Sequence, residues 1–235
     1  MAVDLALLQG QGYGSPPTLR LYRWQTTAIS LGAGQKIPPA LQKQWQAAGL
    51  TIIRRPTGGR AVLHGSDLTY SVTANTSAGF TGRVRAVYRR LNLALQQSLA
   101  CLGVQTELAD GQQTRSGCLS ADCFAAIAPG DLLWQGPKLC GSAQRWQEKA
   151  FLQHGSLLLS PPAPALLQLL HPGGPPPLAP ISLEEILGLI PPWPALVQAF
   201  TEGFQQFFGL PVLQSDFTPA EKKLLENSPS PLLML

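Results

Sequence analysis

The chain has 235 residues, of which 45% are hydrophobic and only 13% charged, with a formal net charge of +4. That balance allows a sizeable buried core and excludes a globally disordered chain. No apolar run approaches the roughly 18 residues of a membrane span, and the N-terminus lacks the basic and apolar regions of a signal peptide, so a cytoplasmic protein without a membrane partner is expected.

MAVDLALLQ opens as an amphipathic helix followed by a glycine-rich turn. RLYRW and TAISLG read as short strands, and PPALQKQWQAAG, with proline at its start and glycine at its end, as a helix. Further strands are expected at about 50–54, 60–64 and 67–74. Between the first two of these, RRPTGGR places Arg54, Arg55 and Arg60 around Gly58 and Gly59; alone, this reads as a solvated turn. Residues 82–102 carry Val84, Val87, Tyr88, Leu91, Leu95 and Leu102 at helical spacing, closed by Gly103. Arg83, Arg85, Arg89 and Arg90 crowd this helix and read as a solvated face, with an acidic protein partner as the second use. No basic stretch interleaved with stacking aromatics points to nucleic acid. The segment 109–130 is loop-like, and DLLWQ, KLCGSAQRW and GSLLL read as three more strands. Half of the 22 prolines then fall between Pro161 and Pro194. Ser182 with Glu185, and Thr218 with Glu221, form capping boxes that open two helices.

This pattern predicts an α+β fold: a mixed, largely antiparallel sheet flanked by helices. It divides into a catalytic domain over 1–160, a proline-rich connector over 161–180 and a C-terminal helical appendage over 181–235. Regular βαβ alternation and a GxGxxG turn, the marks of a dinucleotide fold, are absent from the sequence.

Cys101, Cys118, Cys123 and Cys140 form no CxxC pair and the three histidines are scattered, so reduced thiols and no metal site are expected. A cysteine nucleophile needs a nearby cation that favours the thiolate. Cys101 falls inside the long helix and reads as an inert buried thiol. Cys118 and Cys123 lie in an irregular segment, where functional groups are commonly displayed. Cys140 is two residues from Lys138 on a predicted strand, so both side chains share a face. By composition and spacing, Cys123 and Cys140 remain rivals.

RRPTGGRAVLHGSDLTYSV and ADCFAAIAPGDLLWQGPKLCGSAQRWQEKAFLQHGSLLL resemble the octanoyltransferases of the LipM type, in the biotin/lipoate ligase superfamily. The likeness extends through RLYRWQTTAISLGAGQ and MAVDLALL, and more loosely to the C-terminal helices. In that family the catalytic cysteine opens a CF segment fifteen residues before the lysine of a strand ending in GSAQ. Cys123 and Lys138 stand at that spacing here, which makes Cys140 lining. The resemblance implies the catalytic-domain fold shared with class II synthetases and biotin and lipoate ligases. It implies that Cys123 takes octanoyl from octanoyl-acyl carrier protein as a thioester. A lysine of a lipoyl-domain protein, such as glycine cleavage H protein or a dehydrogenase E2 subunit, then takes the group as an amide, with no ATP and no cofactor. Lys138 favours the thiolate and, with backbone N–H groups, stabilises the oxyanion. Arg54, Arg55, Thr57, Gly58, Gly59, His64, Gly141, Ser142 and His154 become walls of the acyl pocket, the two arginines serving equally for the carrier's phosphopantetheine arm.

Three other readings compete. An ATP-dependent lipoate–protein ligase on the same fold needs no cysteine and carries glycine–asparagine where this chain has Leu68-Thr69-Tyr70. An amidotransferase acting between lipoyl domains has a loop closer to RDSGG. A non-catalytic protein that binds acylated carriers needs neither Cys123 nor Lys138. Two departures from the family pattern are visible. Met1 stands where the methionine of an internal motif is expected, so either the start is assigned too late or a preceding strand is missing. Gly65 replaces the acidic residue that commonly follows the histidine.

Overall fold

In the computed structural model, which describes residues 1–110, 122–170 and 179–227, one strand organises the larger sheet. β5 (Asp67–Asn75) reads DLTYSVTAN, apolar and small polar residues alternating with period two. Leu68, Tyr70, Val72 and Ala74 enter the main hydrophobic core, while Asp67, Thr69, Ser71 and Thr73 are buried on the opposite face. A strand buried on both faces with one face polar is unusual, and that polar face builds the site.

β5 pairs antiparallel with β1 (Thr18–Tyr22) and with β9 (Ala150–Leu158). The sheet continues antiparallel through β8 (Lys138–Gln147), β7 (Leu132–Leu133) and β6 (Glu107–Leu108), six strands in all. Register sets Ser71 opposite His154, so β9 adds His154 and Ser156 to the polar face. The apolar face is covered by α3 (Val84–Cys101), through Val87, Leu91, Leu95 and Leu99. On α3 lies α6 (Trp193–Phe208), begun by Pro192 and Pro194 and stopped by Gly209 at φ +66°. α6 adds Leu196, Phe200 and Phe204 to the same core. Gly203 allows the close approach, since a Cβ there would fall 2.4 Å from the Ser98 backbone.

A second sheet has three strands. β2 (Ala28–Leu31) runs parallel to β3 (Thr51–Arg54) and antiparallel to β4 (Val62–His64). Between β2 and β3 the chain makes α2 (Pro39–Ala47), whose Trp45 is buried with Ile29, Leu31, Ile52 and Leu63. α4 (Pro164–Leu170) closes this smaller core with Leu170, and the Trp45 indole donates to the Leu169 carbonyl at 2.9 Å. α1 (Ala2–Gly10) packs on the polar face of the large sheet and is covered by α7 (Pro219–Glu226). Both predicted capping boxes are formed, Ser182 opening α5 (Leu183–Leu187) and Thr218 opening α7.

The α+β class is the one the sequence predicts, with differences in detail. Cys101, expected to be buried, is exposed at the end of α3. The single expected sheet is two sheets. β9 begins at Ala150, five residues before GSLLL, and DLLWQ contracts to Leu132–Leu133. Cys118 and part of the proline-rich stretch lie outside the described residues. No described helix is long and apolar enough to cross a membrane.

Candidate active site

The two sheets meet around a cavity whose walls include Cys123, Arg55, Gly59, Gly141, Ser142 and, from the polar face, His154. His64, Ser30, Thr69 and Ser156 complete its other side. Cys123 is held there by backbone. Asp122 bridges Ala61 in parallel fashion, the Cys123 N–H donates to the Ala61 carbonyl at 2.7 Å, and the Phe124 N–H donates to Asp122 Oδ1 at 3.0 Å. The Cys123 turn is thereby tied to the stretch that leads into β4.

Lys138, the first residue of β8, lies beneath this turn rather than on the cavity wall. Its side chain is 2% exposed, with Nζ 2.7 Å from Asp131 Oδ2 and 3.8 Å from Cys123 Sγ. Nζ also donates to the carbonyls of Cys123 at 3.1 Å and Ala126 at 3.2 Å. Burial disfavours the charge on this amine. Cys123 and Asp131 facing it outweigh burial and raise its pKa, so the ammonium persists. Its three N–H groups are matched by Asp131 and two carbonyls, which makes Lys138 a clamp on the cysteine turn as well as a charge beside the sulfur. Asp131, absent from the sequence expectations, also accepts from the Ala128 N–H at 2.7 Å.

The arginine–glycine loop, which gives Arg55 and Gly59 to the cavity wall, also braces backbone. Arg55 Nη1 donates to the Ser30 carbonyl at 2.7 Å and to Ser30 Oγ at 3.2 Å. Its Nη2 donates to the carbonyls of Gly58 at 2.8 Å and Arg60 at 2.6 Å. Arg54 Nη1 reaches the carbonyls of Gly32, Ala33 and Gln35. Both guanidinium groups thus hold backbone in place. Gly59, at φ +92°, brings its carbonyl to where a Cβ on Gly32 would lie, 2.0 Å away. The glycine pair therefore serves close contact between loop and β2. Gly58 is absent from the cavity wall, and so is Thr57, whose hydroxyl meets His154 Nε2 at 2.5 Å.

His154 Nδ1 has no hydrogen-bond partner and stands 3.8 Å from Asp4 Oδ2. Burial lowers the His154 pKa, Arg55 adding to the effect and Asp4 opposing it, so the ring is neutral near pH 7. Asp4 itself accepts from Arg20, Tyr22 and Ser71 at 2.8–2.9 Å. His64 is more firmly fixed. Its Nδ1 lies 2.8 Å from Asp67 Oδ2, its Nε2 2.8 Å from Ser30 Oγ, and Trp24 stacks on its ring at 4.1 Å. Asp67 also accepts from Gly65 N, Thr69 Oγ1 and Ser156 Oγ. Burial disfavours its charge, but His64 and these donors outweigh burial and hold its pKa below the ordinary carboxylate value. Asp67 lies two residues beyond Gly65, and the backbone turn returns its carboxylate to His64.

Gly141 and Ser142 on β8 face Ser156 and Gly155 on β9. Ser142 Oγ meets Tyr70 OH at 2.6 Å, and Gly155 must lack a side chain because a Cβ would lie 2.6 Å from Tyr70 and 2.5 Å from the Gly141 carbonyl. Among the described residues no cluster of three His, Cys, Asp or Glu is placed to hold a metal ion.

The model of the lipoyl protein ligase A/B catalytic domain matches residues 1–205. Octanoyltransferase LipM of Kyrpidia tusciae is 33% identical over 97% of this chain and 89% of its own length. The LipM of Symbiobacterium thermophilum is 33% identical over 95% of this chain and 86% of its own. A crystal structure of lipoate-protein ligase A bound with ATP superposes with a TM-score of 0.74 at 21% identity, covering 96% of this chain and 86% of that one. The chain belongs to the lipoyl protein ligase A/B catalytic domain family and, within it, to the octanoyltransferases of the LipM type; it is an acyltransferase.

Proposed function

We propose that this acyltransferase carries octanoyl from octanoyl-acyl carrier protein to a lysine of a lipoyl-domain protein, through a thioester on Cys123. The observation that carries the reading is the 3.8 Å approach of Lys138 Nζ to Cys123 Sγ, beside a cavity that Cys123 faces. A cation at that distance favours the thiolate, which is the attacking species. In the first step the thiolate adds to the donor's acyl carbon, the carbon–sulfur bond to the carrier breaks, and the carrier leaves as a thiolate that takes a proton from solvent. In the second, the acceptor amine adds to the new thioester and Cys123 leaves. Thioester exchange is nearly balanced and thioester to amide runs downhill, so neither step calls for ATP. Lys138, its hydrogens given to Asp131 and two carbonyls, acts on the site through its charge beneath the cysteine turn. Arg55 supplies a second cation, its own pKa lowered by burial and raised by Cys123.

The test is intact-protein mass after incubation with octanoyl-acyl carrier protein and no ATP. One octanoyl group should appear on the protein, vanish in Cys123→Ala, and move to a lipoyl-domain protein added afterwards. Mass gain that survives Cys123→Ala, or transfer that requires ATP, overturns the reading.

A further inference from the structure

The second step raises a problem that the Lys138 side of the cavity does not solve. A lysine ε-amine is almost wholly protonated at neutral pH, with about one molecule in a few thousand free, given an ordinary pKa near 10.4. Something must accept its proton before it can attack. Lys138 lies off the cavity wall with its hydrogens on Asp131 and two carbonyls, and the cysteine sulfur is acylated at that moment. The group required is a base that lines the same cavity and has a free lone pair.

The hydrogen bonds around His64 join four side chains in one chain. Asp67 accepts from four donors, so His64 Nδ1 points its hydrogen at Asp67, and in the neutral ring Nε2 is then the lone-pair nitrogen. Arg55 Nη1 donates to Ser30 Oγ, so the serine's own hydrogen is free to point at His64 Nε2. The order is Arg55 to Ser30 to His64 to Asp67. Ser30 and His64 both line the cavity that Cys123 faces. Trp24 holds the ring in place by stacking and by its own bond to Thr69 Oγ1 at 2.9 Å. The charged and titratable groups facing the histidine and serine are thus Asp67, Arg55 and, across the cavity, Cys123. His154 is the weaker candidate, since it has no carboxylate within hydrogen-bond distance and burial disfavours its protonation.

We propose that Ser30 and His64 take the proton of the acceptor ammonium, with Asp67 as the anion that fixes the ring. The inference rests on the thioester reading above. The ammonium N–H breaks, Ser30 Oγ receives that proton as it passes its own to His64 Nε2, and the imidazolium is held by Asp67. The free amine forms a C–N bond to the octanoyl carbon, the C–S bond to Cys123 breaks, and the departing thiolate takes the second nitrogen proton. His64 then releases its proton to water. Ammonium and thioester have become amide, thiol and one proton.

The experiment separates the two steps in the full chain. Wild type, His64→Gln and Ser30→Ala are loaded with octanoyl-acyl carrier protein and freed of donor. Each is then discharged by a lipoyl-domain protein or by hydroxylamine, which is already the free base at neutral pH. General-base removal predicts that His64→Gln slows discharge to lysine by about 100-fold or more, far more than it slows loading, and leaves discharge to hydroxylamine close to wild type. Its lysine discharge should also become proportional to hydroxide, without the bend of the wild-type pH profile. Ser30→Ala should show the same selectivity in weaker form. Equal slowing with both amines means that His64 only shapes the cavity, and no slowing with lysine means that the base lies elsewhere; either result overturns the proposal. If His64→Gln fails to load, Ser30→Ala decides by the same comparison of amines. Failure of the thioester reading is seen separately, as wild type that never gains the octanoyl mass.

Discussion

The two sides of the cavity each bury a carboxylate against a nitrogen base, yet they are built for opposite ends. On the β8 side, Asp131 meets an ammonium whose remaining hydrogens go to the carbonyls of Cys123 and Ala126. Every valence is committed, so the pair is a fixed charge and a tether. On the β4–β5 side, Asp67 meets an imidazole by one nitrogen and leaves the other to the Ser30 hydroxyl, where we propose it accepts a proton. The same carboxylate chemistry makes a permanent cation in one place and a proton acceptor in the other. What differs is the number of donors on the base and how many of them the backbone occupies.

The largest effect should come from breaking the fixed side. Asp131→Asn leaves a buried ammonium without its anion, and breaking a buried pair costs about 3–5 kcal/mol. His64→Gln leaves Asp67 with Gly65 N, Thr69 and Ser156 as donors, so its cost should stay near the ~1 kcal/mol of one hydrogen bond. Urea unfolding of both variants at pH 7 makes the comparison. Equal losses would mean that the two carboxylates are not differently committed.

A backbone change can strike one side alone. A methyl on Gly32 would sit 2.0 Å from the Gly59 carbonyl, so Gly32→Ala must push the arginine–glycine loop outward. Arg55 runs from that loop to Ser30, whereas Lys138 is anchored on β8 and the Asp131 turn. Overpacking of this kind costs about 1–3 kcal/mol. Discharge of the thioester to lysine should fall by about tenfold, the equivalent of some 1.4 kcal/mol, with a smaller fall in the rate of loading. A variant that loads poorly but discharges normally would show that the loop serves the cysteine instead.

What the sequence shows of this site follows from how far apart the interacting residues are. Cys123 and Lys138 are legible because both lie in one short motif on adjoining elements. Asp131 is not, since its partnership depends on the register of the β7–β8 hairpin, where only two residues of DLLWQ form strand. Asp67 is hidden by the expectation of an acid directly after His64, and Ser30 is one polar residue in an otherwise apolar strand. The α+β class could be read from alternation and punctuation. The division into two sheets could not, because the β2–β3 pairing is parallel and closes across α2. β9 starts earlier than expected because Gln153 and His154 are polar residues buried on opposite faces of one strand, and alternation of polarity is the only local signal a strand gives.

The smallest effect should come from the thiol that rivals Cys123 in the sequence. Cys140 is on β8, two residues from Lys138, but it is 2% exposed and part of the main core. Burial, with Asp131 acting the same way and Lys138 opposing, holds its thiol well above the ordinary pKa, so it stays protonated where Cys123 must react. Cys140→Ala removes one small apolar group and should cost about 1 kcal/mol at pH 7, with loading of Cys123 unaffected. The sign of the pH dependence follows from the raised pKa. Between the ordinary value near 8.5 and the native one, the unfolded chain releases a proton that the folded chain keeps, so wild type loses stability as pH rises above about 8.5. The alanine variant has no such loss at this position. Its deficit should therefore be full at pH 7 and shrink by pH 9.5, before the ordinary lysine range is reached. Urea midpoints at the two pH values measure the change. Alkylation of native Cys140 by iodoacetamide as fast as that of Cys123, or failure of Cys140→Ala to load, would place the reactive thiol on the wrong strand.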